Sequence, residues 1–129
     1  MPSPFRLAAI LVAALSASLI IQGGANAQDA VKGHGTFTTM CSGCHSDEKG
    51  GDDAIKLSLY GVVGRKAGSI ADFSYSPAMT GSGVTWTPEQ LDAYIASPNA
   101  VVPGTAMYFS GLSDPADRAN LIAYLKTLK

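Results

Sequence analysis

Cys41-Ser42-Gly43-Cys44-His45 decides the reading of this chain. Its cysteines are the only two in 129 residues, and a disulfide between neighbours so close would shut almost no loop and remove little unfolded-state entropy. The pair therefore needs a chemical reason. C-x-x-C-H supplies one: two thiols at this spacing can bond the two vinyl groups on one edge of a porphyrin while the adjacent imidazole reaches the iron, the pattern of covalent haem attachment.

Two other chemistries share parts of the pattern. A redox dithiol uses C-x-x-C after a strand in a βαβ setting, whereas the residues before Cys41 read as a helix. A zinc site needs four ligands, and His34 is the only histidine besides His45. His34 lies on the approach to the motif and is read as an exposed helix residue without a role.

Upstream, Arg6, the apolar run Leu7 to Ile21 and the sequence Gly23-Gly24-Ala25-Asn26-Ala27 have the three parts of a secretory leader, ending in an A-x-A cleavage pattern. The run is about 15 residues, short of the roughly 20 a spanning helix requires. Residues 1–27 are thus expected to be a signal peptide and 28–129 one small domain in the periplasm, without stable membrane insertion. The whole chain carries 9 Lys and Arg against 10 Asp and Glu, a balance that argues against nucleic acid or an anionic membrane surface as partner.

A first helix is expected from about Ala30 to Met40, capped by Asp29, with Val31, Phe37 and Met40 in apolar register. From Ser46 to Thr85 the Gly, Ser and Asp density predicts loops, a length that suits a compact domain only if the loops wrap something that replaces a core. Thr87-Pro88-Glu89-Gln90 starts a second helix with a cap, a first-turn proline and a capping box, its inner face being Leu91, Tyr94 and Ile95. Pro98 and Pro103-Gly104 break the chain, Thr105 to Gly111 should be extended, and Asp114-Pro115-Ala116-Asp117 opens a last helix carrying Leu121, Ile122, Leu125 and Leu128. The expectation is an all-α fold: three main helices plus loops wrapped around one haem, with no strand pairing.

His45 accounts for one face of the iron, and the other face decides function. Met40 abuts Cys41 and cannot cross over; Met107, on an extended segment after the Pro103-Gly104 break, is the expected second ligand, with Met79 the other candidate. A thioether favours Fe(II), so the potential should be positive.

With those residues in hand, the chain resembles class I cytochrome c, the mitochondrial and bacterial periplasmic type. The resemblance runs through Gly33 and Phe37, the C-x-x-C-H motif, Gly61-Val62-Val63-Gly64-Arg65-Lys66, Tyr75, Thr85-Trp86, Tyr94, Pro103 to Phe109 and Leu121 to Leu125. It implies a cytochrome c fold and a one-electron carrier rather than an enzyme. It implies that Gly33 lets the terminal helices cross against Tyr124, that Arg65, Tyr75 and Trp86 bind around a haem propionate, and that Tyr94 and Thr105 flank Met107.

The chain also departs from the family. Leu57 stands where a proline carbonyl usually accepts the haem histidine's ring N–H, and Met79 stands where asparagine is common. Positions of the mitochondrial lysine ring read Met40, Asn99, Ala106, Ser113 and Asp114, which implies docking through a small neutral patch with mild salt dependence. Expected partners are redox proteins: a quinol:cytochrome c oxidoreductase or periplasmic dehydrogenase as donor, a terminal oxidase as acceptor, with the chain itself a monomer. The alternative is a haem enzyme or gas-binding sensor in which Met107 dissociates, although the sequence offers no distal histidine for acid-base work.

Overall fold

The computed structural model describes residues 28–129 apart from position 54; the expected leader lies outside them. Five helices follow in order: α1 (Ala30–Met40), α2 (Pro77–Thr80), α3 (Pro88–Ala96), α4 (Pro98–Val101) and α5 (Pro115–Leu125). Two strands, β1 (His45–Ser46) and β2 (Leu57–Ser58), pair in parallel with His45 opposite Leu57. Among the described residues no helix is long and apolar enough to cross a membrane.

The long helices begin where side-chain caps satisfy their free N–H groups. Asp29 Oδ1 accepts from the amides of Val31 and Lys32, Thr87 Oγ1 from Gln90, and Asp114 Oδ1 from Ala116 and Asp117. Proline occupies the first turn of α2, α3, α4 and α5, where its missing N–H leaves no bond unmade.

Packing of α1 on α5 ties the two ends of the domain together. Gly33 and Phe37 are the buried residues of α1, and Gly33 meets the backbone of α5: a Cβ there would collide with the Asn120 carbonyl oxygen and lie 2.9 Å from Tyr124 Cβ. Asn120 Oδ1 accepts from the Asp29 amide at 2.8 Å. The Tyr124 ring packs between Phe37 and His34, at centroid distances of 5.6 and 4.9 Å, and its hydroxyl donates to Asp47 at 2.5 Å. On the other flank Arg118 Nε bonds Asp92 at 2.7 Å and joins α5 to α3, while its NH1 donates to the carbonyls of Leu112 and Ser113.

Several sequence expectations need correction. Val31 and Met40 do not join Phe37 inside; they are exposed, because the close approach at Gly33 selects the Gly33–Phe37 stripe as the inner face. The last helix stops at Leu125, and Leu128 beyond it lends its carbonyl to Gly61 N–H at 2.7 Å. Pro98 starts a helix instead of only breaking one. Strand pairing, not expected at all, exists as β1–β2 and as an isolated antiparallel bridge between Lys66 and Thr85. These short elements are made by tertiary contact, which leaves no periodic trace in sequence.

The buried core comprises residues from α1, α3 and α5 together with Val62, Ala67, Trp86 and Val102 from the connections. It surrounds a hollow rather than filling the middle of the domain.

Candidate functional site

That hollow is a cleft of about 430 Å³ lined by Cys41, Cys44 and His45 from the motif, Leu57, Leu59 and Val62 from the loops, and Trp86, Leu91, Tyr94, Ile95, Leu121 and Leu125 from the core. Arg65, Tyr75, Met79 and Met107 complete its wall. Protein interiors pack as densely as organic crystals and leave few voids larger than a water molecule. An apolar space of this size, opening beside two thiols and an imidazole, fits a large flat hydrophobic group with a metal at its centre.

α1 delivers the motif. Its last turn passes into Cys41, and the Cys41 carbonyl accepts from the amides of Cys44 and His45 at 3.1 and 2.9 Å, so the five residues coil tightly and keep both sulfurs near the imidazole. The thiols are not joined to each other. Burial first, and then the Cys44 neighbour, push the Cys41 thiol up to about 11. A redox dithiol needs the opposite shift, so the surroundings of Cys41 oppose that reading.

His45 Nδ1 lies 3.1 Å from the Leu57 carbonyl oxygen. A carbonyl only accepts, so in this bond Nδ1 carries the proton and Nε2 is left as a bare lone pair, the form that ligates a metal. Burial lowers the pKa of His45 from its ordinary value, the Leu57 bond pulls the other way, and Arg65 lowers it further; the ring is thereby kept neutral. Leucine in place of the familiar proline leaves this acceptor intact.

Leu57 is held by a network that the sequence did not announce. Ser58, only 2% exposed, donates its amide N–H to Asp52 Oδ1 at 2.8 Å and its hydroxyl to the Glu48 carbonyl at 2.7 Å. Arg65 donates from NH2 to the Ser58 carbonyl and from NH1 to the Tyr60 carbonyl, both at 3.0 Å. Alternation in Leu57-Ser58-Leu59 turns the leucines toward the cleft and the serine into this polar knot; a lone serine between leucines carries no signal that it is the most constrained of the three.

The other wall is an extended strap, residues 103–109. Gly104 adopts φ +77°, a conformation costly for residues with a Cβ, and its amide donates to Asn99 Oδ1 at 3.1 Å. The Tyr94 hydroxyl and Thr105 Oγ1 are 2.8 Å apart, and Thr105 Oγ1 also accepts from the Met107 amide at 3.3 Å. Met107 is thereby fixed on the cleft wall, as the extended reading of this segment expects. The Trp86 ring packs against Tyr94 at 4.8 Å and Tyr75 edge-on against Phe73 at 4.9 Å.

The structure therefore brings Cys41, Cys44, His45, Arg65, Tyr75, Trp86, Tyr94 and Met107 to one cleft, with Thr105 behind Met107. Met79 lines it as well, and the helix carrying it adjoins the strap, since a Cβ on Gly104 would lie 3.8 Å from Ala78 Cβ. His34 remains outside, against Tyr124.

Comparison with known proteins agrees with this geometry. The Cytochrome c family model matches residues 30–129. Cytochrome c2 of Rhodopila globiformis is 48% identical over 107 residues, covering 83% of this chain and 100% of that protein. Cytochrome c of Trypanosoma brucei brucei is 52% identical over 81 residues, covering 63% of this chain and 87% of that one. The solved structure of cytochrome cH from Methylobacterium extorquens superposes with a TM-score of 0.70 at 44% identity, over 77% of this chain and 98% of its own. The chain belongs to the cytochrome c family: it has the cytochrome c fold, carries one covalently attached haem c, and serves electron transfer with redox partners rather than catalysis.

Proposed function

We propose that this chain is an exported, diffusible one-electron carrier of the periplasm in which Cys41 and Cys44 hold the haem through thioether bonds and His45 and Met107 take the two axial positions of its iron. The observation that carries this reading is a single apolar cleft walled by both His45 and Met107, with His45 Nδ1 spent on the Leu57 carbonyl. The haem, when bound, supplies a one-electron iron couple. Everything else falls to side chains. Leu57 and the Ser58 knot orient the imidazole; Tyr94 and Thr105 hold the strap that offers the Met107 thioether; Leu91, Ile95, Leu121 and Leu125 exclude water, which disfavours the extra positive charge of Fe(III). Arg65, with Tyr75 and Trp86 on the same wall, provides donors for a haem propionate that would otherwise be buried without a partner.

A ligand on each face leaves iron free only to change charge, which favours a carrier over a gas-binding or peroxide-using protein. The leader at residues 1–27 supports export, and the donor is proposed to be a quinol:cytochrome c oxidoreductase or a periplasmic dehydrogenase, with a terminal oxidase as acceptor. The test is Met107→Ala in the holoprotein. The weak long-wavelength absorption of an iron–thioether bond should vanish, and carbon monoxide should then bind the reduced form without delay. Retention of that band would move the ligand to Met79, and rapid carbon monoxide binding by the unaltered protein would remove the carrier assignment.

A further inference from the structure

The Leu57 C=O and the Ser58 N–H are the two ends of one peptide unit, and both ends are engaged. His45 Nδ1 lies 3.1 Å from the carbonyl oxygen, and the Ser58 amide donates to Asp52 Oδ1 at 2.8 Å. A carboxylate, a peptide and an imidazole therefore form one chain of hydrogen bonds. The turn between Asp52 and Ser58 makes this possible. Asp53 Oδ1 accepts from the amides of Ile55 and Lys56 at 2.7 and 2.6 Å, and the Asp53 amide donates to the Lys56 carbonyl at 2.9 Å, which folds the chain back and sets Asp52 opposite Ser58. Asp52 is half-buried and makes no salt bridge among the described residues. Arg65 is near enough for Asp52 to favour its charged form, but its guanidinium donates to the carbonyls of Ser58 and Tyr60.

We infer that Asp52 is a positioning residue that acts on His45 through the peptide joining Leu57 to Ser58 and lowers the reduction potential; the inference rests on the reading of His45 as an axial ligand. A charged acceptor at the N–H end of a peptide draws electron density toward its carbonyl end, and hydrogen bonds in series strengthen one another. The Leu57 oxygen becomes the better acceptor and the Nδ1 proton leans toward it. His45 Nε2 then gains donor strength, as it does when a metal-bound histidine bonds a carboxylate directly. A stronger donor favours the higher charge of Fe(III). Asp52 thus works against the apolar cleft and Arg65, both of which favour Fe(II). Asp52 does not line the cleft, so the interposed peptide delivers part of the pull of a carboxylate without burying a negative charge beside the haem.

The test compares holoproteins carrying Asp52→Asn and Asp53→Asn, by voltammetry and by proton NMR of the reduced form. Asparagine keeps an acceptor for the same amides and removes one negative charge in each case. Asp52→Asn should raise the ratio of reduced to oxidised protein at a fixed potential roughly threefold, which is about 28 mV for one electron. The rise should survive high ionic strength, because a charge coupled through hydrogen bonds is screened far less than an exposed one. Asp53→Asn alters the exposed neighbour and should move the ratio by less than about 1.3-fold. The His45 Nδ1–H resonance should move upfield in Asp52→Asn alone, which separates the relay from a field acting through space or through Arg65. An unchanged ratio, equal shifts in the two variants, a shift abolished by salt, or an unmoved Nδ1–H resonance would each overturn the inference. Failure of the axial-ligand reading leaves a different mark: in the unaltered reduced protein the His45 ring protons would lack the displacement that a haem imposes on an axial imidazole.

Discussion

The Tyr94 hydroxyl and Thr105 Oγ1 lie 2.8 Å apart, joining α3 to the strap two residues before Met107. Because Thr105 Oγ1 also accepts from the Met107 amide, one hydroxyl restrains both the strap and its thioether. Thr105→Val removes both bonds at nearly constant shape. At about 1 kcal/mol for each net hydrogen bond, the strap should open roughly thirty times more readily. Optical titration of the oxidised protein with imidazole should show that increase in affinity, and an unchanged titration would mean the strap is held elsewhere.

Gly33 has no room for a side chain against α5. Gly33→Ala should lower the unfolding free energy of the holoprotein by about 1–3 kcal/mol, the usual range for overpacking, measured by guanidinium titration. The visible spectrum of the folded fraction should not change, since the crossing lies away from the cleft.

Tyr124 gives stability a pH signature. Burial, and then the hydrogen bond and charge of Asp47, push its phenol up to about 12, above the ordinary value of about 10. Between those values the folded chain keeps a proton that the unfolded chain has lost. The contribution is thus complete below pH 10 and declines as pH rises toward 12. Denaturant titrations from pH 9 to 11.5 should show this decline, and Tyr124→Phe should flatten the part that Tyr124 supplies.

Arg65 keeps its positive charge on the cleft wall even though burial lowers its pKa. Arg65→Met should make Fe(III) easier to form and so lower the reduction potential. An interaction on the order of 1 kcal/mol corresponds to about 40 mV for one electron. A rise in potential by voltammetry would show that Arg65 acts mainly by holding the Ser58 and Tyr60 carbonyls.

Much of the site was legible because its chemistry is local. The motif, the caps at Asp29, Thr87 and Asp114, and the Pro103-Gly104 break each announce themselves within a few residues. The Leu57 carbonyl was legible for a different reason: a main-chain acceptor survives any substitution that keeps the backbone path. What stayed hidden depends on distant partners. The Asp47–Tyr124 bond spans 77 residues, α2 and α4 are single turns fixed by their surroundings, and the burial of Ser58 follows from Asp52, Glu48 and Arg65 converging on it. Val31 and Met40 misled because they repeat at helical spacing while the true inner face was chosen by a glycine.

The crossing of α1 over α5 also sets an order of events during biosynthesis. The helix that leads into Cys41 finds its packing partner only after some eighty further residues have been translated, and long-range closure of that kind is slow to form. Until that closure the stretch bearing both sulfurs lacks the face that packs α1 in the folded domain, so the two ends of the domain secure each other only together.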